Sequence, residues 1–198
     1  MRVFGTTLSL ILTLGLIACG GAGEEAGMEE ADTTAMEETA PAEEEGDMGE
    51  MTTPDWMTVD EDAQTITLDI DAGSSEANNR WNFNGLYAGN GSITVPQGYE
   101  VTINFTNSDP TQPHSLGIDE RMDTWPATFD DITPVFDGAL TADPATTGTP
   151  PNGEETITFT TDTAGDYSMV CYIAGHAVAG MVIPFNVSDD GSYGAVTP

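Results

Sequence analysis

Lysine is absent from this chain, and arginine occurs only as Arg2, Arg80 and Arg121, against 34 Asp and Glu. A formal net charge of −31 leaves no basic surface on which phosphates could be held, so nucleic-acid binding is excluded. Histidine is limited to His114 and His176, and cysteine to Cys19 and Cys171. Chemistry that needs three or more imidazoles, or two thiols in one loop, is therefore out of reach. No long stretch carries the 3.6-residue period of an amphipathic helix. The one extended apolar run, Val3 to Ile17, is short for a membrane span, which takes about 20 residues.

That run has the form of an export signal. Arg2 supplies the positive start, and Leu16-Ile17-Ala18-Cys19 reads as a bacterial lipobox with small Ala18 before the cysteine. The expectation is a lipoprotein signal peptide over residues 1–18, with Cys19 lipidated; an uncleaved apolar anchor is the alternative. Residues 19–54 then form an acidic linker, with 12 Asp and Glu and no aromatic residue between positions 20 and 53. Such composition does not bury enough apolar surface to offset its ordering entropy, so disorder is expected. With Cys19 carrying lipid, Cys171 has no disulfide partner, although an exported compartment would permit one. Outside the cytoplasm a lone thiol is open to oxidation, and metal ligation would explain its retention.

From Asp55 the composition changes, and residues 55–198 suffice for one domain with a real core. Short β-branched alternating runs at 65–70, 92–95, 101–105, 156–160, 167–170 and 182–187 are bounded by Gly, Pro, Asn or Asp. Many short strands with turn signals predict an all-β Greek-key sandwich. Pro184 inside the last run suggests an edge strand or a bulge. Residues 119–152 are a long excursion, expected to hold a helical turn near Thr128 to Ile132 and to pack Trp125 or Phe129 beside the sandwich. Triplets of Asn-x-Ser/Thr at Asn90, Asn104 and Asn186 read as strand composition rather than glycan sites.

The chemistry concentrates in Cys171-Tyr-Ile-Ala-Gly-His176-Ala-Val-Ala-Gly-Met181. A thiolate, an imidazole and a thioether lie within eleven residues, and His114, after a strand-like run, is the second imidazole. Thiolate and thioether stabilise Cu(I), and imidazole serves both oxidation states. Two His, one Cys and a weak axial Met are the ligands of a mononuclear blue-copper site. Gly175 and Gly180 permit the tight turns that such a loop needs. A binuclear site would need a second loop Cys, and multicopper oxidases or copper nitrite reductases further His, so no turnover of a small-molecule substrate is expected.

Cys-x4-His-x4-Met after a distant Pro113-His114-Ser115 resembles the cupredoxins, and within them rusticyanin and especially sulfocyanin. The similarity extends to Trp81-Asn-Phe-Asn-Gly85, Ser92-Ile-Thr-Val-Pro96 and Val101-Thr-Ile-Asn-Phe-Thr-Asn107, and covers roughly residues 64–198. It implies one type 1 copper ion held by His114, Cys171, His176 and Met181, a high reduction potential, and Ser115 bracing the two ligand segments. It also implies electron exchange near the His176 ring edge, with Ala177, Val178 and Ala179 as the partner-docking patch. The lipobox departs from the family pattern, in which an uncleaved anchor is usual. A c-type cytochrome or a terminal oxidase is the expected redox partner. The acidity fits either a high-salt habitat or docking to a basic partner. An exported copper-delivery lipoprotein and a copper-free structural lipoprotein are the competing readings.

Overall fold

The structure, a computed structural model, describes residues 49–198. The signal peptide, Cys19 and most of the acidic linker lie outside the described residues. Among the described residues nine strands form two sheets: β1 Met57–Asp60, β2 Thr65–Ala72, β3 Ser92–Pro96, β4 Glu100–Asn107, β5 Gly117–Glu120, β6 Glu154–Thr160, β7 Gly165–Val170, β8 Val182–Ser188 and β9 Gly194–Val196. One sheet has the order β1-β2-β4-β6, the other β5-β7-β8-β3-β9. The chain changes sheet at every step from β2 to β7, so sequence neighbours face one another across the core. Parallel pairing follows from this: β2 runs beside β4 from Thr65↔Glu100 to Ala72↔Asn107, with β3 in the opposite sheet as the crossover.

Period-two patterning decides which face turns inward. In β2, Ile66, Leu68, Ile70 and Ala72 are buried, and in β4, Val101, Ile103, Phe105 and Asn107. Ile93 and Val95 of β3 and Ile183, Phe185 and Val187 of β8 close the core from the other sheet. Phe136, from the excursion, stacks on Phe159 at 5.7 Å and meets Tyr167 edge-on at 5.1 Å. Each such fully buried large apolar side chain stabilises the fold by about 1.5–3 kcal/mol.

All six runs expected from alternation are strands; β1, β5 and β9 are additional. Three to four residues long, they alternate too briefly to stand out. Backbone pairing to β9 starts at Thr52, which bonds Ala195 in both directions, three residues before the boundary expected from composition. Pro184 lies in an interior strand rather than at an edge, opposite Ser168 of β7. It is tolerated there because β3 pairs with β8 only from Phe185 onward, leaving no β3 ladder at the proline. Residues 128–132 form bends, not a helical turn. Trp125, Phe129 and Ile132 of this segment pack on Val170, Tyr172 and Ala177, a second small core beneath the excursion.

Candidate metal centre

His114 sits in the connection from β4 to β5, and buried polar groups fix its place. Asn107, the last residue of β4, donates its Nδ2 to the Gln112 and Thr149 carbonyls, both at 2.9 Å, and accepts the Asp109 N–H at 2.9 Å. Oδ1 of Asp109 in turn accepts the Thr111 N–H at 2.8 Å, the Thr111 hydroxyl at 3.0 Å and the Gln112 N–H at 3.0 Å. Its other oxygen, Oδ2, lies 3.3 Å from His114 Nε2. Burial would raise the Asp109 pKa, but the N–H groups of Thr111 and Gln112, His114 and the Thr111 hydroxyl together hold it below the ordinary value. The carboxylate is thus ionised and accepts Nε2–H, so the His114 lone pair is on Nδ1. That atom faces the thiol, 4.0 Å from Cys171 Sγ. Paired bonds between the backbones of His114 and Thr149 tie the segment to the end of the excursion.

The other donors come from the turn between β7 and β8. Cys171 N–H bonds the Met181 carbonyl at 3.2 Å and Met181 N–H the His176 carbonyl at 2.9 Å, closing the eleven residues into a compact loop. Gly180 at φ +98° makes that closure possible, since a Cβ there would lie 3.2 Å from Ala88 Cβ. His176 Nδ1 lies 3.5 Å from Cys171 Sγ. Donor atoms of His114, Cys171 and His176 all fall within 4.8 Å of one another, and all three residues are buried. Met181 is fully buried in the same core cluster as Cys171. Ser115 bridges the two segments: its N–H points at Cys171 Sγ from 3.4 Å, and its hydroxyl accepts the Tyr172 N–H at 2.9 Å.

A third segment reaches the centre. Trp81 stacks on the His176 ring, with centroids 4.3 Å apart and planes 20° from parallel. It follows three consecutive non-glycine residues in the left-handed region, Asn78, Asn79 and Arg80, at φ 47°, 57° and 68°. Such backbone costs on the order of 1–3 kcal/mol per residue, less for Asn, and persists only where its surroundings enforce it. Buried Asn82 supplies part of that enforcement, donating to the Ser75 and Ala77 carbonyls and accepting the Gly85 N–H. Ala88, also left-handed, donates its N–H to the Gly180 carbonyl at 2.8 Å.

Burial, opposed only in part by hydrogen bonds from Ser115 and Ile173, pushes the Cys171 thiol up to about 11. Burial, reinforced by repulsion from His114, lowers His176 to about 4, and burial lowers His114 against the pull of Asp109. At neutral pH the pocket therefore holds two neutral imidazoles and a protonated thiol, which a soft cation would convert to thiolate. Two imidazole nitrogens and one sulfur converging in a buried cluster, with buried Met181 bonded through its backbone to Cys171 and His176, fit copper. No carboxylate joins the cluster, so hard oxygen-seeking cations do not fit it.

The sequence singled out His114, Cys171, His176, Met181 and Ser115, and the structure gathers them at one end of the sandwich. Of the three loop residues read as a docking patch, Val178 is 56% exposed and Ala179 faces solvent, but Ala177 is buried against Val170 and Tyr172. Ala177 therefore offers no contact surface. Asp109 and Trp81 were not recognised as neighbours of the site. An Asp five residues before His114, in a turn-rich stretch after a strand, was a signal that existed for the first. For Trp81 the only signal was its presence in the Trp81–Gly85 run.

A two-sheet sandwich with a buried His-Cys-His cluster at one end, held by the β4–β5 and β7–β8 connections, makes this protein a cupredoxin. Residues 53–194 match the family model described as the Sulfocyanin (SoxE) domain, and the chain belongs to that family. A sulfocyanin from Sulfolobus acidocaldarius is 31% identical over 122 residues, which are 60% of this chain and 61% of that one. This chain thus matches about three fifths of the length of that relative. Among solved structures, reduced auracyanin from Roseiflexus castenholzii is 27% identical, covering 62% of this chain and 96% of its own, with a TM-score of 0.44. Rusticyanin from Thiobacillus ferrooxidans is 22% identical, covering 67% and 86% respectively, with a TM-score of 0.42.

Proposed function

We propose that the protein is a one-electron carrier built on a single type 1 copper ion, held by His114, Cys171, His176 and Met181. The observation that carries this reading is the convergence of two imidazoles and one thiol, all buried, within 4.8 Å. When bound there, copper supplies a Cu(I)/Cu(II) couple. The chain's own part is to hold one donor arrangement for both oxidation states. Asp109 fixes the His114 tautomer, Ser115 joins the two ligand segments, and the loop bonds between Cys171, His176 and Met181 resist rearrangement. Burial of the donors and a soft thioether from Met181 would both favour Cu(I), which supports a high reduction potential.

Burial of every donor argues against a copper-delivery role, which needs readily exchangeable metal. Two histidines in the whole chain leave no ligands for a second, substrate-activating copper. The lipobox supports export and anchoring through Cys19 to a membrane, facing the periplasm or cell exterior, with the acidic linker joining the anchor to the domain over 55–198. An acidic surface favours a basic redox protein, a c-type cytochrome or a terminal oxidase, as electron donor or acceptor.

Copper titration of the purified full chain tests the central reading. One equivalent of copper and an intense thiolate-to-copper band on oxidation are expected, lost in Cys171→Ser. A protein that stays colourless after loading and oxidation overturns it.

A further inference from the structure

Two aromatic rings flank the His176 imidazole, and the larger is not a ligand. Trp81 covers one face at a centroid distance of 4.3 Å, while the His114 ring lies 5.0 Å away at 55°. Trp81 is itself only partly buried, so the indole stands between His176 and the solvent. With Glu76, Asn79, Arg80, Asp109, Thr111 and Gln112 it also lines a polar pocket of about 320 Å3.

The backbone around Trp81 is held in place by several bonds. The left-handed run Asn78-Asn79-Arg80 turns the chain so that residue 81 faces the ligand loop. Asn78 Nδ2 donates to the Trp81 carbonyl at 2.8 Å, and the Trp81 N–H bonds the Asn78 carbonyl at 3.0 Å. Arg80 is anchored by Glu76 and by the Gly73 carbonyl, which keeps the turn from relaxing outward. The indole N–H finds no acceptor among the described residues, so a hydrogen bond does not explain why tryptophan stands here. What the residue offers the site is its flat aromatic face, matched to the imidazole plane.

We infer that Trp81 is a positioning residue for the metal centre: by stacking on His176 it fixes the imidazole plane and shuts out external ligands. The inference rests on the copper reading above, but its tests are separable from it. In the copper-loaded full chain, added imidazole should leave the charge-transfer band of the wild type and of Trp81→Phe unchanged. In Trp81→Leu, which fills space without an aromatic face, the band should shift, and copper loss to a chelator should quicken at least tenfold. Rescue by Phe but not Leu is the signature of stacking rather than of bulk. A Trp81→Leu protein as inert as the wild type overturns the inference. A second measurement needs no copper and no variant to fold. In the metal-free wild-type chain, the carbon-bound ring protons of His176 should be shifted upfield by the indole ring current relative to those of His114. Unshifted His176 resonances overturn the inference too. A wild type that never turns blue would sink the copper reading while leaving the resonance test to decide the role of Trp81.

Discussion

Substituting Asp109→Asn changes one atom, and the local bonds dictate where the change falls. Oδ1 accepts three donors, two N–H groups and a hydroxyl, so the asparagine must keep its oxygen there. The amide nitrogen is then forced into the position of Oδ2, 3.3 Å from His114 Nε2. Two N–H groups face each other, and His114 escapes only by moving its proton to Nδ1, the atom that faces Cys171 Sγ. The cost is either a lost hydrogen bond in a buried site or a ligand in the wrong tautomer, about 1–3 kcal/mol. This matches the tenfold to hundredfold loss in metal affinity typical of removing a carboxylate that orients a histidine. Losing a negative charge near the metal should also raise the reduction potential, since the more highly charged Cu(II) loses more stabilisation. Competition with a chelator of known affinity measures the first effect and voltammetry the second. An affinity within twofold of the wild type, with an unchanged potential, would refute the tautomer argument.

Other expectations follow from neighbouring features. Met181→Gln replaces a soft donor by a hard oxygen, so voltammetry should show a lower potential while the blue band survives in altered form; an equal or higher value would remove Met181 from the ligand set. Gly180→Ala forces a left-handed alanine and a Cβ 3.2 Å from Ala88, and should cost about 1–2 kcal/mol in denaturant unfolding, with no loss expected only if the loop is free to move. Val178→Asp puts a charge on an exposed apolar side chain of the ligand loop. Stopped-flow rates with a membrane fraction should fall while spectrum and potential hold, and unchanged rates across salt concentrations would place the electron's exit elsewhere. Cys19→Ala should abolish incorporation of a labelled fatty acid; equal labelling of mutant and wild type would dismiss the lipobox.

The sandwich was legible because its strands carry one inward side chain every second residue, a pattern that needs no partner to be seen. In β2 and β4 the alternation runs through eight residues each and identifies both the strand and its buried face. It fails where pairing, not patterning, makes the strand: Gly117–Glu120 holds one large apolar residue and exists as β5 because β7 lies beside it. Pro184 misled because the proline rule speaks of a strand's place in its sheet, whereas the relevant fact is how far its neighbour extends. The metal ligands were legible for a different reason. Histidine and cysteine occur twice each in this chain, so counting sufficed for them, and Met181, one of nine methionines, was marked by its spacing in the same loop. Asp109 is one of 34 acids and looks like all the others until the fold buries it.

That contrast explains how so acidic a protein brings a single carboxylate to its centre. Repulsion among exposed carboxylates is spread over a wide surface and screened by salt, so it does little to the fold at any one point. Asp109 is different: buried and saturated with donors, its charge is unscreened and directed at a single nitrogen. Elsewhere the lining of the site consists of Ser115, Trp81, Met181 and the small residues of the loop, none of which carries a charge. A second carboxylate within reach would favour the more highly charged oxidised ion and lower the potential. Among the described residues Asp109 is the one buried acid, held by three donors besides the histidine, and keeping the other carboxylates out of the site would favour the reduced ion in a chain without lysine.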